Sequence, residues 1–197
     1  MSKRFFDVMA TIAGLMFLSP LLLLIAWRIR FEDGAPVFYR GVRVGLYGKL
    51  FRIFKFRTMV VGAERLGAAS TSEDDSRITR IGQFLRKYKL DELPQLINVL
   101  IGDMSLVGPR PEVKKFTDMY TKAEIAILSV RPGITDWASI WNSDEGAILA
   151  GSTDPDRDYI EKIRPEKIRL QLKYVREQSF WTDLEIIFLT LKTIIFR

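Results

Sequence analysis

Two adjacent acids, Asp91 and Glu92, open the block Asp91-Glu92-Leu93-Pro94-Gln95, directly after a stretch carrying Arg77, Arg80, Arg86, Lys87 and Lys89. Carboxylates beside cations suit chemistry on a phosphate ester. Arg and Lys neutralise the charge, while a carboxylate attacks, holds a metal or takes a proton. Arg110 follows between two prolines in Val107-Gly108-Pro109-Arg110-Pro111-Glu112. The prolines restrict where its guanidinium can go, and the guanidinium fork matches a phosphate bidentately. The other reading of this stretch, a loop entering a helix with Pro111 in its first turn, leaves Arg110 without a task. Arg57 belongs to the compact Lys55-Phe56-Arg57-Thr58-Met59. It is the functional candidate among six basic residues of that region, most of which read as a solubilising face.

Composition narrows the chemistry. The 197 residues include no cysteine and no histidine. Disulfides, thiolate zinc sites and cysteine nucleophiles are excluded. The usual acid/base at neutral pH and the commonest transition-metal ligand are missing too. What remains is carboxylate, Lys, Arg, Ser, Thr or Tyr chemistry, with a hard oxygen-loving ion such as Mg²⁺. A net charge of +6 points to a phosphate-bearing partner. With 48% hydrophobic residues, membrane lipid plus a phosphorylated substrate is a better joint reading than nucleic acid, and no nucleic-acid partner is expected.

These residues need elements to position them. Val8 to Trp27 carries no charge and is about the length a bilayer requires. Arg28 and Arg30 follow it with no small-residue cleavage site, which argues against a signal peptide. Two arrangements remain open on the residues alone. One is a plain spanning helix. The other is a re-entrant helix broken at Ser19-Pro20, which keeps the basic flanks Lys3, Arg4, Arg28 and Arg30 on one side. Residues 36–59 predict a β-hairpin turning at Gly45 and Gly48, and residues 62–77 a loop. Ile78 to Leu90 predicts an amphipathic helix with Ile81, Phe84, Leu85 and Tyr88 on one face. Asp91 reads as the N-cap of the next helix, where local N–H groups favour its ionised form, and Pro94 falls in that helix's first turn. Simple capping would account for Asp91 equally well. After Glu112, helix is expected to about Val130, then a turn at Arg131-Pro132-Gly133-Ile134-Thr135, and extended chain from Asp136 to Trp141. Two helices end the chain, from about Pro165 to Glu177 and from Ser179 onward. The last suits either the membrane interface or ordinary core packing.

The ordered set Lys3-Arg4-Phe5-Phe6-Asp7, Ser19-Pro20, Lys55-Phe56-Arg57-Thr58-Met59, Asp91-Glu92-Leu93-Pro94-Gln95, Asn98-Val99-Leu100, Gly102-Asp103-Met104-Ser105, Val107 to Glu112 and Arg131 to Thr135 resembles the bacterial sugar transferase family. These are small monotopic polyprenyl-phosphate phosphoglycosyl transferases, and the resemblance covers nearly the whole chain. It implies an α/β fold, mostly helical with a small hairpin. A re-entrant membrane helix over residues 1–30 would anchor a catalytic domain over 31–197 with interfacial amphipathic helices. It implies transfer of a sugar 1-phosphate from a nucleotide diphosphate sugar, with a leaning to UDP-sugar, onto undecaprenyl phosphate at the cytoplasmic face of the bacterial inner membrane. That reaction would initiate a glycan, with downstream glycosyltransferases as possible partners. Asp91 matches the nucleophile and Mg²⁺ ligand. Glu92 matches the neighbouring acid that helps deprotonate the acceptor phosphate, and Arg86 and Arg110 match basic residues of the family's site; Arg57 and Arg131 are expected to bind substrate phosphate beside them. Longer relatives carry extra membrane helices or a regulatory domain, and this chain reads as the minimal catalytic unit. It departs from the pattern at Asp136 and Ser139, where Gly and Gln are frequent, and at Gln171, where an acid is frequent. Those changes bear on the sugar. A catalytically silent membrane scaffold is the competing class, opposed by the intact Asp91-Glu92 pair.

Overall fold

Lys3–Asp33 forms one helix, α1, continuous through Pro20, in a computed structural model that describes residues 3–34, 36–67 and 69–196. The expected break at Ser19-Pro20 does not occur. Pro20 cannot donate to the Met16 carbonyl, four residues back. The Ser19 hydroxyl donates to that carbonyl instead, at 3.0 Å, so the orphaned acceptor is satisfied and the helix runs on.

A 31-residue helix is about 46 Å long. Its first 30 residues have a mean hydropathy of 2.4 over the most apolar window, of which only 11% is buried in the protein. A narrow stripe at three- and four-residue spacing, from Asp7 and Thr11 through Gly14 to Ile25 and Ile29, faces the body. The rest is exposed, with Met16, Phe17, Leu23 and Leu24 outward. An apolar surface of that extent left bare marks a membrane contact.

Both ends of α1 are fastened. At the start, Arg4 donates to the Val99 and Leu100 carbonyls at 2.7 and 3.1 Å. Asp7 accepts from the Ser105 hydroxyl at 2.8 Å, and Lys3 pairs with Asp183 at 2.5 Å. At the far end, Ile25 and Ile29 enter a core with Phe56 and Leu85.

The hairpin forms as two short ladders. β2 (Val42–Val44) pairs antiparallel with β3 (Leu50–Arg52), and β1 (Phe38–Tyr39) with β4 (Lys55–Phe56). Gly45 and Gly48 lie in the turn as expected, with Gly48 and Tyr47 at positive φ. The 62–77 stretch is a loop containing one 3₁₀ turn, Ala63–Arg65. α2 (Arg80–Lys87) is capped by the Thr79 hydroxyl. Ile81 and Leu85 point inward, whereas Phe84 and Tyr88 are exposed and pack on each other, so only half of the expected apolar face is buried. Gly82 lets α2 touch the preceding strand region; a Cβ there would lie 2.1 Å from the Thr58 carbonyl oxygen.

α3 (Gln95–Ile101) follows, and then the regions where expectation and structure differ. The stretch from Val113 to Val130, expected as helix, is helical only at α4 (Lys114–Thr117) and a 3₁₀ segment, Glu124–Ser129. The expected turn at 131–135 contains a strand, β6 (Gly133–Thr135), parallel to β5 (Ser105–Val107). Gly108 and Gly133 make that crossing possible, since a Cβ on Gly133 would fall 2.1 Å from the Gly108 nitrogen. The expected extended stretch is α5 (Trp137–Trp141), because Asp136 caps it by accepting from Ser139 N at 2.7 Å. Local hydrogen bonding to a cap outweighs the weak helix propensity of the Trp and Ile side chains. α6 (Glu145–Ile148) and α7 (Pro155–Asp158) lead through a π-helical turn, Tyr159–Ile163, into α8 (Arg164–Glu177). α9 (Phe180–Ile195) ends the described chain, with Ser179 as its cap. It buries Asp183 and Ile186 against the body and exposes Trp181, Phe188 and Leu191, so it is half core and half exposed apolar face.

Candidate active site

Lys89 turns the chain out of α2 with a left-handed backbone, φ 55°, which is uncommon for a residue with a side chain. Leu90–Glu92 is then a single 3₁₀ turn, and α3 begins only at Gln95. Asp91 is therefore not the N-cap of α3, and no side-chain cap is made at either start. It is instead buried, at 7% exposure. Burial raises its carboxyl above the ordinary range, opposed first by Lys55 and reinforced by the Glu92 charge. The expectation that its surroundings favour the anion is corrected by this desolvation.

Glu92 has the opposite fate. Burial alone would raise it, but Arg110 and Lys55 hold it well below the usual carboxylate range. Arg110 Nη1 donates to Oε2 at 2.9 Å and Nη2 to Oε1, while Lys55 Nζ donates to Oε1 at 2.8 Å. Glu92 in turn keeps Arg110 firmly charged. Lys55 also lies 3.7 Å from Asp91 Oδ2, so one ammonium joins both acids.

Long-range bonds set this cluster. The Asn98 side chain, fully buried in α3, accepts from Phe54 N at 2.7 Å and donates to the Arg52 carbonyl at 2.9 Å. It thereby fixes the hairpin against α3 and brings Lys55 to the acids. Asp136, also fully buried, accepts from Arg110 N at 3.2 Å, Gln171 Nε2 at 3.3 Å and the Ser139 hydroxyl at 2.7 Å. Two of the positions that depart from the resembled pattern, Asp136 and Gln171, thus bond each other and hold the Arg110 loop.

The cluster lines a cavity of ≈ 1770 Å³, larger than a single small-ligand site needs. Arg86 reaches it through a 3.0 Å bond from Nε to the Thr58 hydroxyl, and burial lowers its guanidinium's hold on the proton. Arg57 lies buried in the wall. Asp91, Glu92, Arg86, Arg110 and Arg57 therefore line one cavity. Arg131 does not join them; it lies outside the lining and donates to the Gly102 carbonyl at 3.1 Å. Ser19 and Pro20 sit on the exposed side of α1. The cavity lining also includes apolar residues of α1 (Ala10, Gly14, Leu18) and of α9 (Ile187, Leu191, Ile194).

Sequence reasoning passed over Lys55, Asn98, Gln95 and the pair Glu112–Lys167. Lys167 is buried, pairs with Glu112 and donates to the Tyr159 hydroxyl at 3.2 Å. Strand alternation was the one local signal for Lys55, since Phe56 faces the core and its neighbour must face away.

Among the described residues no group of three or more acidic side chains converges into a carboxylate cage. Mg²⁺ commonly takes one or two carboxylates and completes its shell with phosphate and water oxygens. The buried Asp91 carboxylate suits that donor set, whereas both Glu92 oxygens are taken by cations.

Comparison with known proteins places this geometry. The family model described as bacterial sugar transferase matches residues 1–197. The chain is 39% identical over 197 residues to the UDP-N-acetylgalactosamine-undecaprenyl-phosphate N-acetylgalactosaminephosphotransferase of Aeromonas hydrophila, covering 98% of this chain and 43% of that protein. It is 40% identical over 203 residues to the undecaprenyl-phosphate glucose phosphotransferase of Komagataeibacter xylinus, covering 100% and 36%. The exopolysaccharide production protein ExoY of Rhizobium meliloti is 34% identical over 209 residues, covering 98% and 85%. The chain thus spans about two fifths of the length of the first two relatives and most of the third.

Proposed function

The chain belongs to the bacterial sugar transferase family, and from that premise we propose that it transfers a sugar 1-phosphate from a UDP-sugar to undecaprenyl phosphate through a covalent intermediate on Asp91. The observation that carries the reading is the buried Asp91 carboxylate, 3.7 Å from Lys55, in one cavity with Arg86 and Arg110. A desolvated carboxylate is a stronger nucleophile than a hydrated one, and fixed cations can neutralise the phosphate charge it attacks.

In the first step an Asp91 oxygen attacks the phosphorus that bears the sugar. The bond to the nucleotide's phosphate breaks, and the mononucleotide leaves with that electron pair. In the second step an oxygen of the polyprenyl phosphate attacks the same phosphorus, the bond to Asp91 breaks, and a polyprenyl diphosphate sugar departs. Mg²⁺, held by Asp91 and the donor diphosphate, would supply charge neutralisation. In this reading Arg86 and Arg57 bind the donor's phosphates and Arg110 binds the acceptor phosphate. When a phosphate takes Arg110, Glu92 loses one of the two cations that hold it ionised, its proton affinity rises, and it becomes better able to accept the acceptor's proton.

The membrane part of the reading rests on α1. Both ends of the helix are bound to the same body, which a helix crossing to the far side could not achieve. We read it as monotopic, with its basic flanks on the cytoplasmic side of the inner membrane and its bare apolar face in the near leaflet. The apolar residues that α1 and α9 contribute to the cavity lining would then contact the isoprenoid chain.

The test is mononucleotide release. Enzyme with UDP-sugar and Mg²⁺ but no lipid acceptor should release about one equivalent of UMP in a burst, and steady-state kinetics should be ping-pong. Release that requires both substrates together would reject the covalent step.

A further inference from the structure

Among the described residues that line the cavity, Gln95 is the amide left unmatched at both ends. Gln95 is 1% exposed, lines the same cavity as Asp91 and Arg110, and has no hydrogen-bond partner at either Oε1 or Nε2. Native proteins seldom leave a buried polar group unmatched, and a glutamine with both ends unmatched is rarer still. Nothing in the local fold requires an amide there. Gln95 opens α3, its backbone is ordinary helix, and a leucine or methionine of similar size would fill the same space without polar atoms to satisfy.

The ligand it awaits can be read from its chemistry. The amide offers two donors on nitrogen and an acceptor on oxygen. A phosphate only accepts, so it would satisfy Nε2 and leave Oε1 bare. A cation would take Oε1 and leave Nε2 bare. A pair of hydroxyls, each both donor and acceptor, satisfies the two ends at once. Position narrows the choice further. Gln95 is four residues after Asp91 in sequence and lines the same cavity. On the proposed reaction, the group joined through a single oxygen to the phosphorus attacked at Asp91 is the sugar, whereas the nucleobase lies a second phosphate and a ribose away. We propose that Gln95 is a sugar-recognition residue, pairing its amide with hydroxyls of the hexose attached to the phosphate that Asp91 attacks. The assignment rests on the donor reading given above and adds to it the residue that reads the sugar.

The experiment uses the full chain in detergent or nanodiscs, with Gln95→Leu and Gln95→Met beside wild type. Without ligand, both variants should melt at or above the wild-type temperature, because each removes two unmatched polar atoms from the interior. UDP alone should stabilise all three proteins equally. UDP-sugars should stabilise wild type further, and the variants should lose that increment along with at least tenfold of their UMP release rate. Variants that melt several degrees below wild type would show that the amide is structural, and a retained increment with wild-type turnover would show that it touches no sugar. Either result overturns the proposal, as does an equal loss of the UDP and UDP-sugar shifts, which would move the contact to the nucleotide. If wild type itself neither releases UMP nor is stabilised by any UDP-sugar, the parent reading falls and the sugar assignment with it. Wild-type turnover with unaffected variants rejects the role of Gln95 alone.

Discussion

Glu92 and Arg110 form a fork-to-fork pair, and that geometry decides how each residue should respond to change. Arg110→Lys keeps the charge but reaches only one Glu92 oxygen, and turnover should fall at least about tenfold in a UMP-release assay. Glu92→Gln leaves the partly buried Arg110 without its counter-charge, and urea unfolding should show a loss of roughly 3 kcal/mol at pH 7. The sign with pH follows from direction. The Glu92 carboxyl is lowered in the folded protein, so its contribution is present above the unfolded value and disappears as pH falls through the folded one. The gap between wild type and Glu92→Gln should therefore close below the usual glutamate range. Asp91 runs the other way. Its carboxyl is raised, so the neutral form is the one the fold favours, and ionisation costs stability as pH rises through that value. Without Mg²⁺, Asp91→Asn should therefore melt higher than wild type at neutral pH. The acids and Arg110 were legible from residue type and spacing. Lys55 was not, because six cations share its hairpin and its partner Glu92 lies 37 residues away.

At the scale of elements, the legible parts were those with a local period or local turn chemistry. Thr79 and Ser179 as caps, the glycines of the hairpin turn and the apolar spacing of α2, α8 and α9 carry their own signal. The parallel pair β5–β6 carries none, since each strand is three residues long and its partner comes from 28 positions away in sequence, as Ser105 and Gly133 show. α5 was misread as extended because its Trp and Ile side chains have weak helix preference, although Asp136 three residues before Ser139 was a readable cap. Asp136 also bonds the Arg110 backbone and Gln171, so Asp136→Ala removes a helix cap and a loop anchor together. It should cost about 1–3 kcal/mol in chemical denaturation and lower turnover, whereas Asp136→Asn should retain most of the stability. In α1 the proline was legible but its consequence was not, because the compensating donor, the Ser19 hydroxyl, works only in the helix that it preserves.

For the whole molecule, the apolar stretch announced a membrane helix, but only the three-dimensional structure shows both of its ends tied to one body. A chain without cysteine makes topology directly testable. Single cysteines at positions 3 and 31 should both resist membrane-impermeant labelling from outside intact cells, and strong labelling at either would reject the monotopic arrangement. The reaction itself is tested most directly by intact-mass spectrometry of the enzyme mixed with UDP-sugar and Mg²⁺ without lipid acceptor. The account predicts a gain of one phosphosugar on the wild-type chain, mapped by digestion to the peptide containing Asp91, absent in Asp91→Asn and discharged on adding polyprenyl phosphate. An unmodified wild-type chain that nonetheless turns over once both substrates are present would contradict it.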